Sequence, residues 1–264
     1  MDASSTLFDW AGGELVARDS CEVAETELLV ADSFLVADGS ALALGLHGSR
    51  FQDSGRLQGH PDRAELQRFW EAGVRALPRT GAWFPRFELV RTGDALRLRF
   101  RLRTAPALTN ELVVATAASD PRRTPDIKGP DIDRLSVLRQ RAQAAGAQEA
   151  ILLDGGFVAD GATTALLWWR GDTLYTPPLS LPRVDSVAAR TVRGIAAALR
   201  VPVDEEEARP AQLDGVTLWA VNALHGIRAV TAWVDGPGLS QDPARTDAWR
   251  ARFAMLSRPL PPAA

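Results

Sequence analysis

Short apolar runs separated by glycine turns constrain the fold of this chain more than any other feature. Residues 8–17 and 27–44 each predict a β-hairpin, the first turning at a Gly-Gly pair and the second at Asp38-Gly39. An Asp-Gly pair favours a two-residue hairpin turn because both residues tolerate a positive φ. Arg or Asp interrupts every apolar run before it reaches the length of a membrane span. The pattern therefore predicts many short strands and no membrane-spanning segment.

Helices alternate with these strands along the chain. Residues 61–77 predict an amphipathic helix with Pro61 at its start. Residues 87–103 predict another hairpin, in which leucines and Phe100 alternate with arginines, and we expect the arginine face to be solvated. The second half of the chain predicts strands at 112–116, 149–154, 163–170 and 173–176, a pair of strands at 216–230 broken at 222–226, and helices at 131–145, 186–199 and 243–257.

These elements indicate an α+β protein of two domains. Residues 104–110 have the composition of a linker. We therefore predict a small N-terminal domain of helices and strands over residues 1–106, and a larger C-terminal domain of mostly antiparallel strands over residues 107–264. The 264 residues are enough for a hydrophobic core in each domain.

Charge and cysteine content exclude several classes of protein. The net charge of −3 predicts no nucleic-acid surface. Cys21 is the only cysteine, so no internal disulfide can form, which fits a reducing compartment. The first ten residues contain neither the basic region nor the apolar region of a signal peptide. We expect a cytoplasmic protein that binds neither nucleic acid nor membrane.

Lys128 is the single lysine among 30 basic residues; all the others are arginines. Arginine can replace lysine wherever a solvated positive charge is sufficient. It cannot replace a lysine whose primary amine forms a Schiff base, because the guanidinium stays protonated and is a poor nucleophile. Lys128 is therefore either a leftover surface residue or an amine retained for carbonyl chemistry.

Other catalytic signatures are missing from the sequence. There is no GxSxG, P-loop or HExxH motif. His47, His60 and His225 lie far apart and lack the spacing of metal ligands. A nucleophilic pair of Cys21 with a histidine has equally little support. We predict no metal site.

Five segments carry motifs that occur in a recognisable order. LHGSRF (46–51) is similar to the motif EHLDRL, and GFVADGATTALLWWRGDTLYTPPLS (156–180) to VTEGSTSNVF…LYTPPLS. SVAARTV (186–192) is similar to GVTRRTV, and NALHGIRAV (222–230) to a late NAL…PV loop. IKGPDIDRLSVLRQRAQAAGAQEAILLD (127–154) is similar to a segment that carries a Schiff-base lysine. Together they resemble the fold-type IV pyridoxal phosphate enzymes, which include branched-chain and D-amino acid aminotransferases and 4-amino-4-deoxychorismate lyases.

Lys128 falls on the family's Schiff-base lysine. The resemblance therefore implies pyridoxal 5'-phosphate as the cofactor and the Lys128 amine as general base and acid at the α-carbon of the substrate. The pyridine nitrogen of the cofactor needs a carboxylate partner to stay protonated. The family uses glutamate there, and the matching residue is Asp160, one methylene shorter. Without the resemblance, Asp160 before Gly161 would be read as a turn residue.

The phosphate of the cofactor needs an arginine and backbone N–H groups, such as those at a helix N-terminus. The resemblance places Arg50 in the arginine role, although Arg50 taken alone would be read as a surface residue. It places the amide donors in two segments, namely Ser186, Val187 and Ala188 at the start of a helix, and Asn222 and Ala223 in a loop.

Several positions depart from the family pattern. Ala188 and Ala223 stand where members of the family often have threonines, so two hydroxyl contacts to the phosphate would be lost. Ala165 replaces an asparagine. Tyr175 is the only tyrosine and lies in a predicted strand, so the usual tyrosine partner of the cofactor's ring hydroxyl has no candidate. An unusual substrate or reduced activity is therefore an open possibility.

The resemblance implies an aminotransferase that exchanges an amino group between an amino acid and a 2-oxo acid, and a homodimer. Arg86 loosely matches an arginine that binds the substrate carboxylate, and a surface position is equally consistent. One alternative is a 4-amino-4-deoxychorismate lyase, which releases pyruvate to form 4-aminobenzoate and which the NAL sequence at 222–224 favours. Another is a catalytically weak or inactive homologue, which the missing tyrosine and threonines favour and the retained lysine opposes.

Overall fold

The structure, a computed structural model, contains two compact units and describes residues 5–18 and 26–262. Unit 1 comprises the described residues up to Ala107, the segment Ile127–Pro130 and the residues from Leu256 onward. Unit 2 comprises Leu108–Asp126 and Asp131–Met255. Lys128 therefore belongs to unit 1, although it lies in the later part of the sequence. Cys21 lies outside the described residues, so the weakly supported pair of Cys21 with a histidine lies outside them as well.

Unit 1 combines helices with two antiparallel sheets. Its helices are α1 (Leu44–Leu57) and α2 (Arg63–Arg75). Its strands are β1 (Ser5–Ala11), β2 (Glu14–Ala17), β3 (Glu27–Ser33), β4 (Val36–Ala37), β5 (Ser40–Leu42), β6 (Ala82–Trp83), β7 (Arg86–Thr92), β8 (Ala95–Arg103) and β17 (Ser257–Pro259). One sheet has the order β2-β1-β8-β7-β3 and the other β17-β5-β4-β6.

Aromatic side chains form the core of unit 1. Phe51 and Phe69 come from the two helices, and Phe87 and Phe100 come from β7 and β8. The rings of Trp70 and Phe87 lie 4.2 Å apart between centroids. Each such buried ring contributes about 1.5–3 kcal/mol relative to an exposed one. This packing fixes α1 and α2 against the sheet.

The predicted hairpin over residues 27–44 was only partly correct. Asp38-Gly39 does form the turn, but it joins the short strands β4 and β5. Strand β3 pairs instead with β7, with Ser33 opposite Arg86. The chain leaves β3 at Phe34, whose ring packs against Trp70 and Phe87 in the aromatic core. This tertiary packing, which local turn chemistry does not encode, ends the strand early.

Unit 2 is built on one large mixed sheet, in the order β11-β10-β9-β16-β15-β12-β13-β14. Its strands are β9 (Glu111–Thr116), β10 (Glu149–Asp154), β11 (Phe157–Gly161), β12 (Ala165–Arg170), β13 (Thr173–Thr176), β14 (Val203–Glu205), β15 (Thr217–Asn222) and β16 (Gly226–Val234). Its helices are α3 (Ile132–Ala144), α4 (Val187–Leu199) and α5 (Pro243–Ala254), with a short 3-10 helix at Pro210–Leu213.

Two apolar clusters cover the sheet of unit 2. The larger includes Trp168 from β12 and Val230 from β16. The smaller joins Leu138 and Ala142 of α3 to Leu152 of β10. These clusters position the loops at the strand ends, where most of the predicted site residues of this unit lie. In the described residues, every helix is too short or too polar to cross a membrane.

Candidate active site

Lys128 lies in a four-residue segment that strand β3 anchors through its backbone. The amide of Ala31 donates a hydrogen bond to the Lys128 carbonyl oxygen at 2.7 Å. Gly129 has a φ of 139°, and a Cβ at this position would lie 2.5 Å from the Ala31 nitrogen. Only glycine tolerates both this conformation and this close approach. The main chain that carries the only lysine is therefore fixed.

Helix α1 brings two of its side chains to Asp32 on β3. This helix is not predicted from the sequence, because Ala43 precedes it with a φ of 51° and no capping side chain. The usual N-terminal signal is thus missing. His47 and Arg50 are three residues apart and therefore share one helix face.

Asp32 is the centre of a buried charged cluster. Arg50 donates Nε to Oδ2 at 2.8 Å and Nη2 to Oδ1 at 3.0 Å, and His47 Nδ1 lies 2.7 Å from Oδ1. Burial raises the pKa of Asp32, but Arg50 and His47 outweigh it and hold the pKa well below its ordinary value. Burial lowers the pKa of His47, and the charges of Arg50 and Lys128 lower it further. The Asp32 carboxylate acts in the opposite direction and is outweighed. The cluster therefore contains an ionised carboxylate and a histidine that favours its neutral form.

Arg50, which the sequence predicts as the arginine that binds the cofactor's phosphate, thus donates two hydrogen bonds to Asp32. Asp32 has no role in the site as predicted from the sequence. A signal for it would have required knowing that β3 and α1 pack together, since the two residues are 18 positions apart.

Asp160 is buried at the end of β11 and is held by Arg122. The Arg122 Nη1 lies 3.1 Å from Asp160 Oδ2, and the Gly161 amide donates to Oδ1 at 3.1 Å. Burial raises the pKa of Asp160 to about 7, although Arg122 opposes the rise. The same guanidinium also pairs with Asp120 at 2.7 Å and donates to the carbonyl of Pro182 at 2.8 Å. No motif singles out Arg122, which precedes Asp160 by 38 positions, so this contact is not predictable from the sequence.

Helix α4 begins at the residues predicted to supply amides. Ser186 caps it, with its hydroxyl accepting a hydrogen bond from the Ala189 amide at 3.3 Å. Val187 and Ala188 are buried in the first turn. First-turn amides have no acceptor within their own helix, so they are suited to an anion.

The second predicted amide segment is a tight turn between β15 and β16. Asn222 Oδ1 accepts hydrogen bonds from the amides of Leu224 at 3.1 Å and His225 at 2.8 Å. Asn222 Nδ2 donates to the Thr163 carbonyl at 3.3 Å. The side chain therefore stabilises the turn that carries Ala223 and ties it to the segment after β11.

Arg86 belongs to an arginine cluster on the face of β7 and β8 that was predicted to be solvated. Arg86 Nε lies 2.5 Å and Arg101 Nε 3.3 Å from Glu88 Oε1, and Glu88 is only 2% exposed. Burial lowers the pKa of Arg103 to about 10, and Arg86 and Arg101 add to the effect. Arg99 is also buried. The solvated-face prediction holds for Arg97, which is exposed, and was wrong for the others. Glu88 attracts Arg86 and Arg101, and Arg99 pairs with Asp9 at 3.1 Å.

The predicted residues fall into local groups. In unit 1, Lys128 is close enough to His47 for its charge to affect the pKa of that histidine, and His47 shares Asp32 with Arg50. In unit 2, Asn222 contacts Thr163, which follows Asp160 by three residues. Each unit thus holds a buried, charged part of the predicted site.

A family model described as "Amino-transferase class IV" matches residues 29–233, which is most of the chain. The chain belongs to the class IV aminotransferase family. The matched range of this class IV aminotransferase homologue includes the motifs that contain Arg50, Lys128 and Asp160. The match confirms the resemblance to this family that was predicted from the sequence. None of the curated proteins matches it.

Solved structures confirm the predicted fold class. A fold IV-transaminase from Curtobacterium pusillum is 19% identical, with 94% of this chain and 97% of that chain covered and a TM-score of 0.76. A hypothetical aminotransferase from Mycobacterium tuberculosis in a PLP-bound form is 19% identical, with 96% and 98% covered and a TM-score of 0.79. The branched-chain amino acid aminotransferase from Escherichia coli is 14% identical, with 95% and 93% covered and a TM-score of 0.77.

The residues of this class IV aminotransferase homologue fit the family's cofactor, pyridoxal phosphate. Lys128 would supply the amine, on a fixed backbone. Asp160 would supply a buried carboxyl group, whose pKa of about 7 lets it share a proton at neutral pH. The capped start of α4, at Val187 and Ala188, would supply amides for a phosphate. The alanines at 188 and 223 would contribute main-chain donors only.

Proposed function

We propose that the protein is an aminotransferase that exchanges an amino group between an amino acid and a 2-oxo acid, with Lys128 as the residue that holds pyridoxal phosphate covalently. One observation carries the proposal. The only lysine of the chain lies in the family's lysine segment, on a backbone fixed by Ala31 and Gly129. An amine on a rigid backbone is suited to covalent attachment of an aldehyde.

When bound, pyridoxal phosphate supplies an aldehyde that reacts with amines and a ring that accepts electrons from the substrate α-carbon. Lys128 has two tasks in this proposal. It holds the cofactor in the resting enzyme, and its amine, released when an amino acid binds, moves the proton at the α-carbon. An arginine could perform neither task at neutral pH.

Asp160 would be the acidic partner of the cofactor's ring nitrogen. Arg122, 3.1 Å away, favours the ionised carboxylate, whereas burial favours the protonated form. The ionised form would accept a hydrogen bond from a protonated ring nitrogen. We therefore assign Arg122 a positioning role, because it orients Asp160 and biases its charge.

Main-chain amides would bind most of the phosphate. The start of α4 contributes Val187 and Ala188, and Ser186 fixes this helix end by capping it. Asn222 stabilises the second turn, and the Ala223 amide is the donor that we assign there. Arg50 would add a charge-assisted contact while Asp32 orients its guanidinium.

Arg86 would anchor the carboxylate of an amino acid or 2-oxo acid. Its cluster contains Arg101 and Arg103 as well, opposed by Glu88. A structure of the Mycobacterium tuberculosis protein is described as an alpha-ketoglutarate and PMP bound form, which supports this class of substrate. The resemblance also supports a homodimer in the cytoplasm. Size-exclusion chromatography with light scattering would test the oligomeric state.

Half-reaction spectroscopy tests the proposed function. An aminotransferase loaded with pyridoxal phosphate loses its visible cofactor absorption when an amino donor is added alone, and it releases one equivalent of 2-oxo acid. Lys128→Arg is the control, since it keeps the charge but has no primary amine. Catalytic release of pyruvate from 4-amino-4-deoxychorismate, without any half-reaction, would replace the aminotransferase with the lyase. Stable cofactor binding without either reaction would indicate an inactive homologue.

A further inference from the structure

Unit 2 contains two arginines that have no role in the proposed reaction and no acceptor for their side chains. Arg228 lies on β16 and is only 6% exposed, and Arg139 lies half-buried on α3. The Nε atom of each is buried without a hydrogen-bond partner. Within residues 5–18 and 26–262, neither side chain donates a hydrogen bond or forms an ion pair. Buried guanidinium donors normally bind an acceptor.

The charges of Arg139 and Arg228 act to lower the pKa of Glu149, but the carboxylate oxygens of Glu149 accept hydrogen bonds from other residues. It is 1% exposed at the start of β10, where the Thr163 hydroxyl donates to Oε2 and the Ala150 amide donates to Oε1 at 3.0 Å. Burial raises the pKa of Glu149 despite the opposing charges of Arg139 and Arg228. Two guanidiniums are thus opposed by at most one negative charge.

His225 contributes a third donor to the cluster. Its Nδ1 accepts a hydrogen bond from the Thr109 amide at 3.1 Å. Burial lowers the pKa of His225 to about 4, and Arg228 and Arg139 add to the effect. At neutral pH the ring is therefore uncharged, with its proton on Nε2. Asn222 accepts a hydrogen bond from the His225 amide and donates one to the Thr163 carbonyl, and the Thr163 hydroxyl donates to Glu149.

We propose that Arg139, Arg228 and His225 form a binding site for a phosphate oxyanion. A dianion would neutralise the excess charge of two guanidiniums and accept hydrogen bonds from both orphaned Nε atoms. Inorganic phosphate has this chemistry, and these donors differ from Arg50, Val187, Ala188 and Ala223, to which we assign the cofactor's phosphate. The site stands on its own donors and does not depend on the aminotransferase reaction.

Titration of the full chain with inorganic phosphate, followed by calorimetry at constant ionic strength, tests the site. We expect saturable binding that Arg139→Gln weakens about tenfold, the scale of one lost charge-assisted contact. Arg141→Gln is the matched control, because it removes the same charge from an exposed position on the same helix. Arg228→Lys keeps the charge of the buried position while removing the Nε donor, and it should also weaken binding. Absence of saturable binding, or equal affinity in Arg139→Gln and Arg141→Gln, would overturn the proposal.

Repeating the titration in saturating pyridoxal phosphate, and separately in pyridoxal, tests whether the site is separate from the contacts assigned to the cofactor's phosphate. We expect neither compound to change the affinity for inorganic phosphate. Loss of phosphate binding in pyridoxal phosphate but not in pyridoxal would place the anion at the cofactor's own contacts and would overturn the proposal. Because the first titration contains no cofactor, failure of the proposed reaction would leave its result unchanged.

Discussion

The Nη1 of Arg122 lies 3.1 Å from Oδ2 of Asp160, and the same guanidinium binds Asp120 and the Pro182 carbonyl. One arginine thus joins its own loop to the end of β11 and to the loop at Pro182, around a buried carboxyl group. Burial and this contact act on Asp160 in opposite directions, and burial prevails, with a pKa of about 7. The protonation state of Asp160 is therefore sensitive to pH in the neutral range.

Asp160 should make the stability of the protein fall with rising pH. Its pKa is about 7 in the folded protein, against an ordinary value of 3.8, so between these values the folded state holds a proton that the unfolded state has lost. Stability then declines through this window. Asp160→Asn removes the effect, so its stability relative to wild type should rise by about 1.4 kcal/mol per pH unit from pH 4 to 7. Urea unfolding across this range measures it, with exposed Asp154→Asn as the control. A constant difference between Asp160→Asn and wild type would show that Asp160 stays ionised.

Borohydride reduction should trap pyridoxal phosphate on Lys128. The chain offers one other amine for the reaction, the α-amine of Met1. Mass spectrometry of the digested protein should find the pyridoxyl adduct on the peptide that contains Ile127-Lys128-Gly129. Lys128→Arg should lose the adduct and the turnover. An adduct confined to the N-terminus, or full turnover in Lys128→Arg, would remove Lys128 from the reaction.

Arg50→Ala should weaken retention of pyridoxal phosphate by about 1.5–3 kcal/mol, the range for a charge-assisted hydrogen bond. Because the substitution also breaks the pair with Asp32, affinity for pyridoxal serves as the internal control. A phosphate role predicts a loss for pyridoxal phosphate alone. Equal losses for the two compounds would assign Arg50 to the structure of the cluster only.

Asp32→Asn should destabilise the protein by about 3–5 kcal/mol at neutral pH, since it breaks the ion pair of a buried carboxylate and leaves the partly buried Arg50 guanidinium without its negative partner. Asp32 has a lowered pKa in the folded state, so its contribution is present above its ordinary pKa and is lost as pH falls through the folded value. The difference from wild type should therefore shrink below about pH 4. Asp53→Asn, at an exposed pair with Arg63, should cost under about 1 kcal/mol. Similar costs for the two variants would contradict the central role of Asp32.

Gly129→Ala should destabilise the protein by more than about 1 kcal/mol and slow attachment of the cofactor to Lys128, because the new Cβ would collide with the backbone of β3. Gly93→Ala is the matched control: Gly93 also has a positive φ, of 56°, but a Cβ there meets nothing within 4 Å. Thermal unfolding and the rate of borohydride-trapped adduct formation measure both effects. Equal behaviour of the two variants would mean that the close approach to β3 is unimportant.

Elements with strong local signals were predicted well from the sequence. The turn between β1 and β2, helix α2 and the hairpin of β7 and β8 appear close to the predicted positions, because glycine turns and apolar periodicity act over a few residues. Ordered motifs led to the family and the fold class, and both are confirmed. The site roles of Lys128 and Asp160 stay predictions.

The features that sequence reasoning missed depend on contacts between distant residues. Helix α1 begins at a left-handed alanine instead of a capping residue, so tertiary packing compensates for a weak start. Arg122 reaches Asp160 across 38 positions, and Asp32 reaches Arg50 across 18. Strand β3 pairs with β7 and not with the strand that follows it in the sequence. No local pattern specifies such partners.

The anchoring of Lys128 by β3 means that neither unit is encoded by one continuous stretch of sequence. A fragment that ended at residue 107 would lack the carbonyl that accepts the Ala31 hydrogen bond, and also the strand β17 that pairs with β5. An exchange of modules cut at the apparent linker would therefore separate the lysine from the strand that holds it. Lys128 and β3 must therefore stay together in any fragment or exchange of domains.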